Sequence, residues 1–246
     1  MGALPQIEAV LFDMGGTLVD FPIPSWPVLA ARCVSGAVSG LVLGDEGPFP
    51  PAASVPRSQD APSRRHGARP DAPLVHRVSM AIRRMVRNVS GHTLPTMGEM
   101  CARPLLAKGS LIAEARETLA TLRSRGYRLG LVSNTPWGTP EYLWRGQLER
   151  FDLDAFFEVI HFSSDVGFRK PDPRIFRLTL EGLRVRPQAA LFVGDEPEAD
   201  IVGARGAGLA SAWINRPDGP RRTPPDPPAD VTLDRIDGLL AHLPAS

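Results

Sequence analysis

Apolar positions along the chain follow two periods. Residues 7–13, and most of the chain from 110 to the end, alternate short runs of consecutive apolar residues with stretches whose apolar residues recur every three or four positions. The first pattern predicts buried strands and the second amphipathic helices. Strands are expected at 7–13, 127–133, 156–162, 189–193, 210–215 and 231–233. Helices are expected at 111–125, 140–151, 173–183, 198–207 and 234–242. Gly126 and Gly208 stand where two of these helices should stop. Residues 217–228 read as a polar, proline-rich loop. Alternation of this kind predicts an α/β fold, a doubly wound, mostly parallel sheet with helices on both faces and right-handed crossovers.

The texture differs between these two parts. Residues 25–43 and 74–89 have helical spacing, with Val75, Val78, Ile82, Met85 and Val86 on one face of the second. A further short helix is expected at 96–102. Residues 44–73 are rich in Pro, Ser, Gly, Ala and Arg and poor in large apolar side chains. Such a stretch cannot bury enough surface to offset its ordering entropy, so a mobile loop is expected there. Its Arg64-Arg65-His66 cluster reads as solvated. The domain plan is a core of 1–19 with 109–246 and a small helical insertion at 20–108.

Composition narrows the function classes. A chain of 246 residues suits one core domain with an appendage. The formal charge of +1 provides no strong field for nucleic acid or a membrane surface. No apolar run has the length of a membrane span, and the first residues lack the pattern of a secretory signal. Cys33 and Cys101 have no metal-ligand spacing and read as reduced thiols of a cytoplasmic protein. A monomer or homodimer is expected. Of 28 basic side chains only Lys108 and Lys170 are lysines. A lysine kept against such a bias suggests a need for a compact point charge that a guanidinium does not mimic.

Four predicted strand ends carry the candidate chemistry. The first runs Asp13-Met14-Gly15-Gly16-Thr17, the second Ser133-Asn134-Thr135, and the third leads to Lys170-Pro171-Asp172. The fourth is Gly194-Asp195-Glu196, with Asp200 five positions beyond Asp195. Ligands of open α/β sheets bind beyond such carboxyl ends. Singly, each residue has a plainer role: Asp13 in a turn, Ser133 as a helix cap, Lys170 as a surface charge, Asp195 as a cap and Asp200 as an exposed helix residue.

In order, these stretches resemble the four motifs of the haloacid dehalogenase (HAD) superfamily, and the texture around Lys170 and Asp200 is similar to the subgroup with a helical cap inserted after the first motif. The resemblance covers nearly the whole chain except residues 44–73. It implies a Rossmann-like core and a Mg²⁺-dependent hydrolase, a phosphatase acting on a small phosphorylated substrate. Asp13 would be the nucleophile and a metal ligand, with Asp195 and the Gly15 carbonyl as further ligands and Asp200 binding or supporting the metal. Ser133, the Asn134 N–H and the Gly16 N–H would meet phosphoryl oxygens, and Lys170 would neutralise nucleophile and phosphate. Asp13 would form an aspartyl phosphate that water hydrolyses.

One position departs from the pattern. The resemblance implies, in phosphatases, a second Asp two residues after the nucleophile, acting as general acid and base. Here that residue is Gly15. Such help is worth about 10²–10⁴-fold in rate. Glu196, His76, His92 or the substrate itself are the candidate substitutes. Gly15 also argues against the 2-haloacid dehalogenases, which carry an aromatic residue there. The phosphonatase-like branch carries a small one but relies on a cap lysine, and residues 20–107 contain none. Two alternatives therefore stand beside a phosphatase: a HAD-fold binding protein with weak or no turnover, and a phosphotransferase.

Overall fold

The computed structural model describes residues 4–21, 99, 102–103, 105–136, 139–220 and 222–245. The chain divides into two compact units, residues 1–22 with 105–246, and residues 23–104. The helices expected at 25–43 and 74–89, the loop at 44–73 and most of 96–102 lie outside the described residues, as do Cys33, Cys101, His76 and His92.

The first unit is built on six parallel strands: β1 (Ala9–Phe12), β4 (Arg128–Ser133), β5 (Val159–Phe162), β6 (Ala190–Gly194), β7 (Ala210–Ile214) and β8 (Val231–Leu233). They lie in the order β5-β4-β1-β6-β7-β8. Every residue of β1 and β6 is buried, so both faces of the central strands are covered. That is why these strands read as unbroken apolar runs. Chain direction across the sheet reverses at β1, which pairs with β4 on one side and β6 on the other. The crevice beyond such a switch point is where open α/β sheets bind ligands.

Helices α1 (Ala115–Ser124), α2 (Glu141–Arg150), α3 (Ser163–Val166), α4 (Pro173–Leu183) and α5 (Gly203–Ala207) connect the strands. Helix α4 starts at an Asp172 cap that accepts the Arg174 N–H at 3.0 Å, with Pro173 in the first turn. Its inner face brings Phe176 edge-on to Phe192 of β6, with ring centroids 5.0 Å apart. No helix among the described residues is long and apolar enough to cross a membrane.

Among the described residues the expected strands and helices are present, with three corrections. The helix expected at 111–125 begins only at Ala115, and Leu111 belongs instead to β3 (Ser110–Leu111), antiparallel to β2 (Val19–Asp20). Two residues per strand leave no alternation to read, and the pairing is fixed by bringing together the two chain segments that flank the second unit. The helix expected at 198–207 begins as a π-helical turn, Pro197–Val202, and becomes α-helical only at Gly203. Its Asp200 is fully buried, and Asp200 Oδ2 accepts the N–H of Glu196 at 2.9 Å, a side-chain tie that a surface helix would lack. The last helix is a 3₁₀ segment, Ile236–Ala241, with i→i+3 bonds at Gly238 and His242. Gly238 weakens an α-helix there.

Candidate active site

Register places the candidate residues on one rim. Phe12 pairs with Leu131 on one side and Val193 on the other. Asp13, Ser133 and Asp195 therefore all stand at or just past the carboxyl ends of adjacent strands. The Asp13 N–H donates to Val193 O at 2.9 Å, which holds Asp13 in line with β6. Asp13, Ser133, Lys170, Asp195 and Asp200 are all buried.

Lys170 arrives from the loop after α3. Its Nζ donates to Asp13 Oδ1 at 2.6 Å and lies 2.7 Å from Asp200 Oδ1. It also sits 5.0 Å from the centroid of the Phe192 ring. Burial works against its charge, but Asp13 and Asp200 outweigh burial and hold the ammonium above its ordinary value. Lys170 is therefore an ammonium at neutral pH. Its backbone is fixed by Asn134, whose carboxamide accepts from Lys170 N at 2.9 Å and donates to Lys170 O at 3.0 Å. This two-point clamp ties the end of β4 to the lysine loop.

Asp195 and Asp200 complete the cluster. One carboxylate oxygen from each of Asp13, Asp195 and Asp200 lies within 4.8 Å of the others. Burial first, then Asp13 and Asp200, pushes the Asp195 carboxyl up to about 8, with Arg222 opposing. Burial pushes Asp200 up to about 6, with Lys170 opposing. Carboxylates crowded this way want a further cation. Two more observations fit one. Asp195 Oδ1 is buried without a hydrogen-bond partner among the described residues. Gly16, at φ +77°, leaves room for the Asp195 carboxylate: a Cβ there would stand 2.3 Å from Asp195 Oδ2. Three hard carboxylate donors suit Mg²⁺ or a similar divalent ion.

A family description, haloacid dehalogenase-like hydrolase, matches residues 7–208. The chain belongs to that family. The phosphoserine phosphatase of Thermus thermophilus is 40% identical over 117 residues, 46% of this chain and 45% of that one. The chain thus matches less than half the length of that relative. The phosphoglycolate phosphatase of Escherichia coli is 30% identical over 235 residues, 87% of this chain and 83% of that one. Among solved structures, a predicted phosphoglycolate phosphatase from Haemophilus somnus superposes with a TM-score of 0.64 at 21% identity, covering 97% of this chain and 99% of that one. At that identity the likeness is one of fold.

In this HAD-like hydrolase, the turn after Asp13 uses one of its backbone donors internally. The Gly16 N–H, expected to face a phosphoryl oxygen, donates to Val19 O at 2.8 Å. The turn closes on itself there, and what Gly16 contributes is the space beside Asp195. Glu196, the spare carboxylate, is half-exposed and pairs with Arg222 rather than joining the three-carboxylate group. Two features escape a reading of sequence. Asn134 acts on Lys170 through its side chain, which spacing does not reveal. Arg222 pairs with Asp195 at 2.7 Å, and nothing in a proline-rich loop singles it out.

Proposed function

We propose that the protein is a Mg²⁺-dependent phosphatase that acts on a small phosphorylated metabolite through an aspartyl phosphate on Asp13. The observation that carries this reading is the buried ammonium of Lys170 shared between Asp13 and Asp200. An ammonium there offsets negative charge when a phosphate dianion arrives. Asp13 attacks phosphorus, the bond to the leaving oxygen breaks, and that oxygen takes up a proton. Water then attacks phosphorus, the acyl phosphate bond breaks, and phosphate leaves with Asp13 restored. Ser133 and the Asn134 N–H are the donors for phosphoryl oxygens. Asp13, Asp195, Asp200 and the Gly15 carbonyl are the groups for the cation. When bound, it supplies positive charge that lowers the repulsion between carboxylate and phosphate and orients the latter. The segment 20–108 is assigned the part of a cap that chooses the substrate. Both curated relatives described above are phosphatases by name.

A second reading, a binding protein with weak turnover, is favoured by Gly15. Among the described residues, the one atom within 4 Å of where a Gly15 Cβ would stand belongs to the Phe21 ring, at 3.8 Å. Among the described residues no acid lies within 4 Å of that point. Turnover of an aryl phosphate with Mg²⁺, abolished by Asp13→Asn, supports the phosphatase. Tight retention of the phosphate ester without turnover supports the binding protein. Accumulation of aspartyl phosphate that water does not clear points to transfer to another acceptor. A panel of phosphorylated metabolites then names the substrate.

A further inference from the structure

Arg222 belongs to the loop that joins β7 to β8, and its side chain is only 24% exposed. One guanidinium nitrogen, Nη2, donates to Asp195 Oδ2 at 2.7 Å. The other, Nη1, pairs with Glu196 Oε1. The rigid fork of a guanidinium thus spans two carboxylates adjacent in sequence, which an ammonium cannot do as well. The backbone of Asp195 is fixed too, because its carbonyl accepts the Trp213 Nε1–H at 3.0 Å. Asp195 is therefore held at its main chain and at one carboxylate oxygen. The second oxygen, Oδ1, is buried and makes no hydrogen bond among the described residues.

We infer that Arg222 is a positioning residue for the divalent cation, gripping Asp195 by Oδ2 so that Oδ1 is kept for the ion. The charge count agrees. With all four carboxyls ionised, as cation binding requires, Asp13, Asp195, Asp200 and Glu196 carry four formal negative charges against the two positive ones of Lys170 and Arg222. The remaining deficit is the charge of one divalent ion. Were Arg222 absent, Asp195 would keep no side-chain partner among the described residues to fix its rotamer, and Glu196 would add an unbalanced charge. A shallow hollow lined by Gly16, Asp195, Asn215, Arg216 and Arg222 places this guanidinium at the edge of the site. Groups that orient a ligating carboxylate in this manner change metal affinity without touching the metal.

The inference rests on the metal reading of the site, and its test separates the two. Mg²⁺ is titrated calorimetrically into the metal-stripped full chain, for the wild type, Arg222→Ala and Arg222→Lys. Arg222→Ala is expected to weaken affinity by about 10–100-fold. Arg222→Lys is expected to fall between, since an ammonium restores charge but not the fork. Thermal unfolding of the stripped proteins shows that each variant is folded; if Arg222→Ala is not, the Lys variant decides alone, and unchanged affinity in it overturns the inference. Equal affinity in Arg222→Ala overturns it as well, and tighter binding does so by showing that the guanidinium competes with the ion for Asp195. A wild-type chain that binds no Mg²⁺ overturns the metal reading itself, and this inference with it.

Discussion

Gly15 marks the point where this chain departs from the phosphatase pattern, and the structure shows that the departure is chemical rather than steric. Among the described residues, a Cβ at that position meets the Phe21 ring alone, at an ordinary contact distance of 3.8 Å. Gly15→Asp should therefore fold and place a carboxyl beside Asp13. The substitution is expected to raise kcat by up to about 10²–10⁴-fold for esters with poor leaving groups and much less for activated aryl esters. Steady-state rates across a leaving-group series check this; an equal gain for all esters argues that the new group does not transfer protons. Sequence located the acidic positions because their chemistry demands specific residue types at strand ends. It did not reveal that the Gly16 N–H is spent within its own turn, since a backbone hydrogen bond leaves no signature in side-chain identity.

At the scale of elements, the strands were the most readable part. Consecutive buried residues in β1 and β6 leave a plain apolar run, and helix α4 announces itself by a Pro after an Asp cap. The elements that escaped are those held by tertiary contacts: the two-residue pair β2 and β3, and the π turn that carries Asp200 into the site. The join between the end of β4 and the lysine loop is of the same kind. Asn134→Ala removes both hydrogen bonds to the Lys170 main chain while leaving every charged group in place. A shift of Lys170 by about 1 Å is enough to lower kcat by about 10²-fold. The expected result is a fall in kcat with little change in KM for the phosphate ester. A fall in substrate affinity alone would place Asn134 on the substrate instead.

For the whole molecule, the buried acids couple stability to pH. Asp195, raised from 3.8 to about 8, and Asp200, raised to about 6, keep protons in the folded chain that they have already lost in the unfolded one. Between 3.8 and about 8 the folded state thus binds more protons, and stability falls as pH rises through that interval. Chelator-treated protein is expected to show a urea midpoint that declines from about pH 5 to about pH 8, and excess Mg²⁺ is expected to flatten the decline. A midpoint that climbs across this range without metal would contradict the charge arrangement. Lys170 stays protonated throughout, because Asp13 and Asp200 hold it above its ordinary value despite burial.

The same lysine has a practical consequence. The chain carries only two lysine side chains; Lys108 is exposed, and the side chain of Lys170 is 1% exposed. An acylating reagent, which needs a free and accessible amine, finds a single lysine on the intact protein. Mass spectrometric counting of acylated lysines therefore serves as a gauge of opening: the second modification appears only when the ammonium has left its carboxylates.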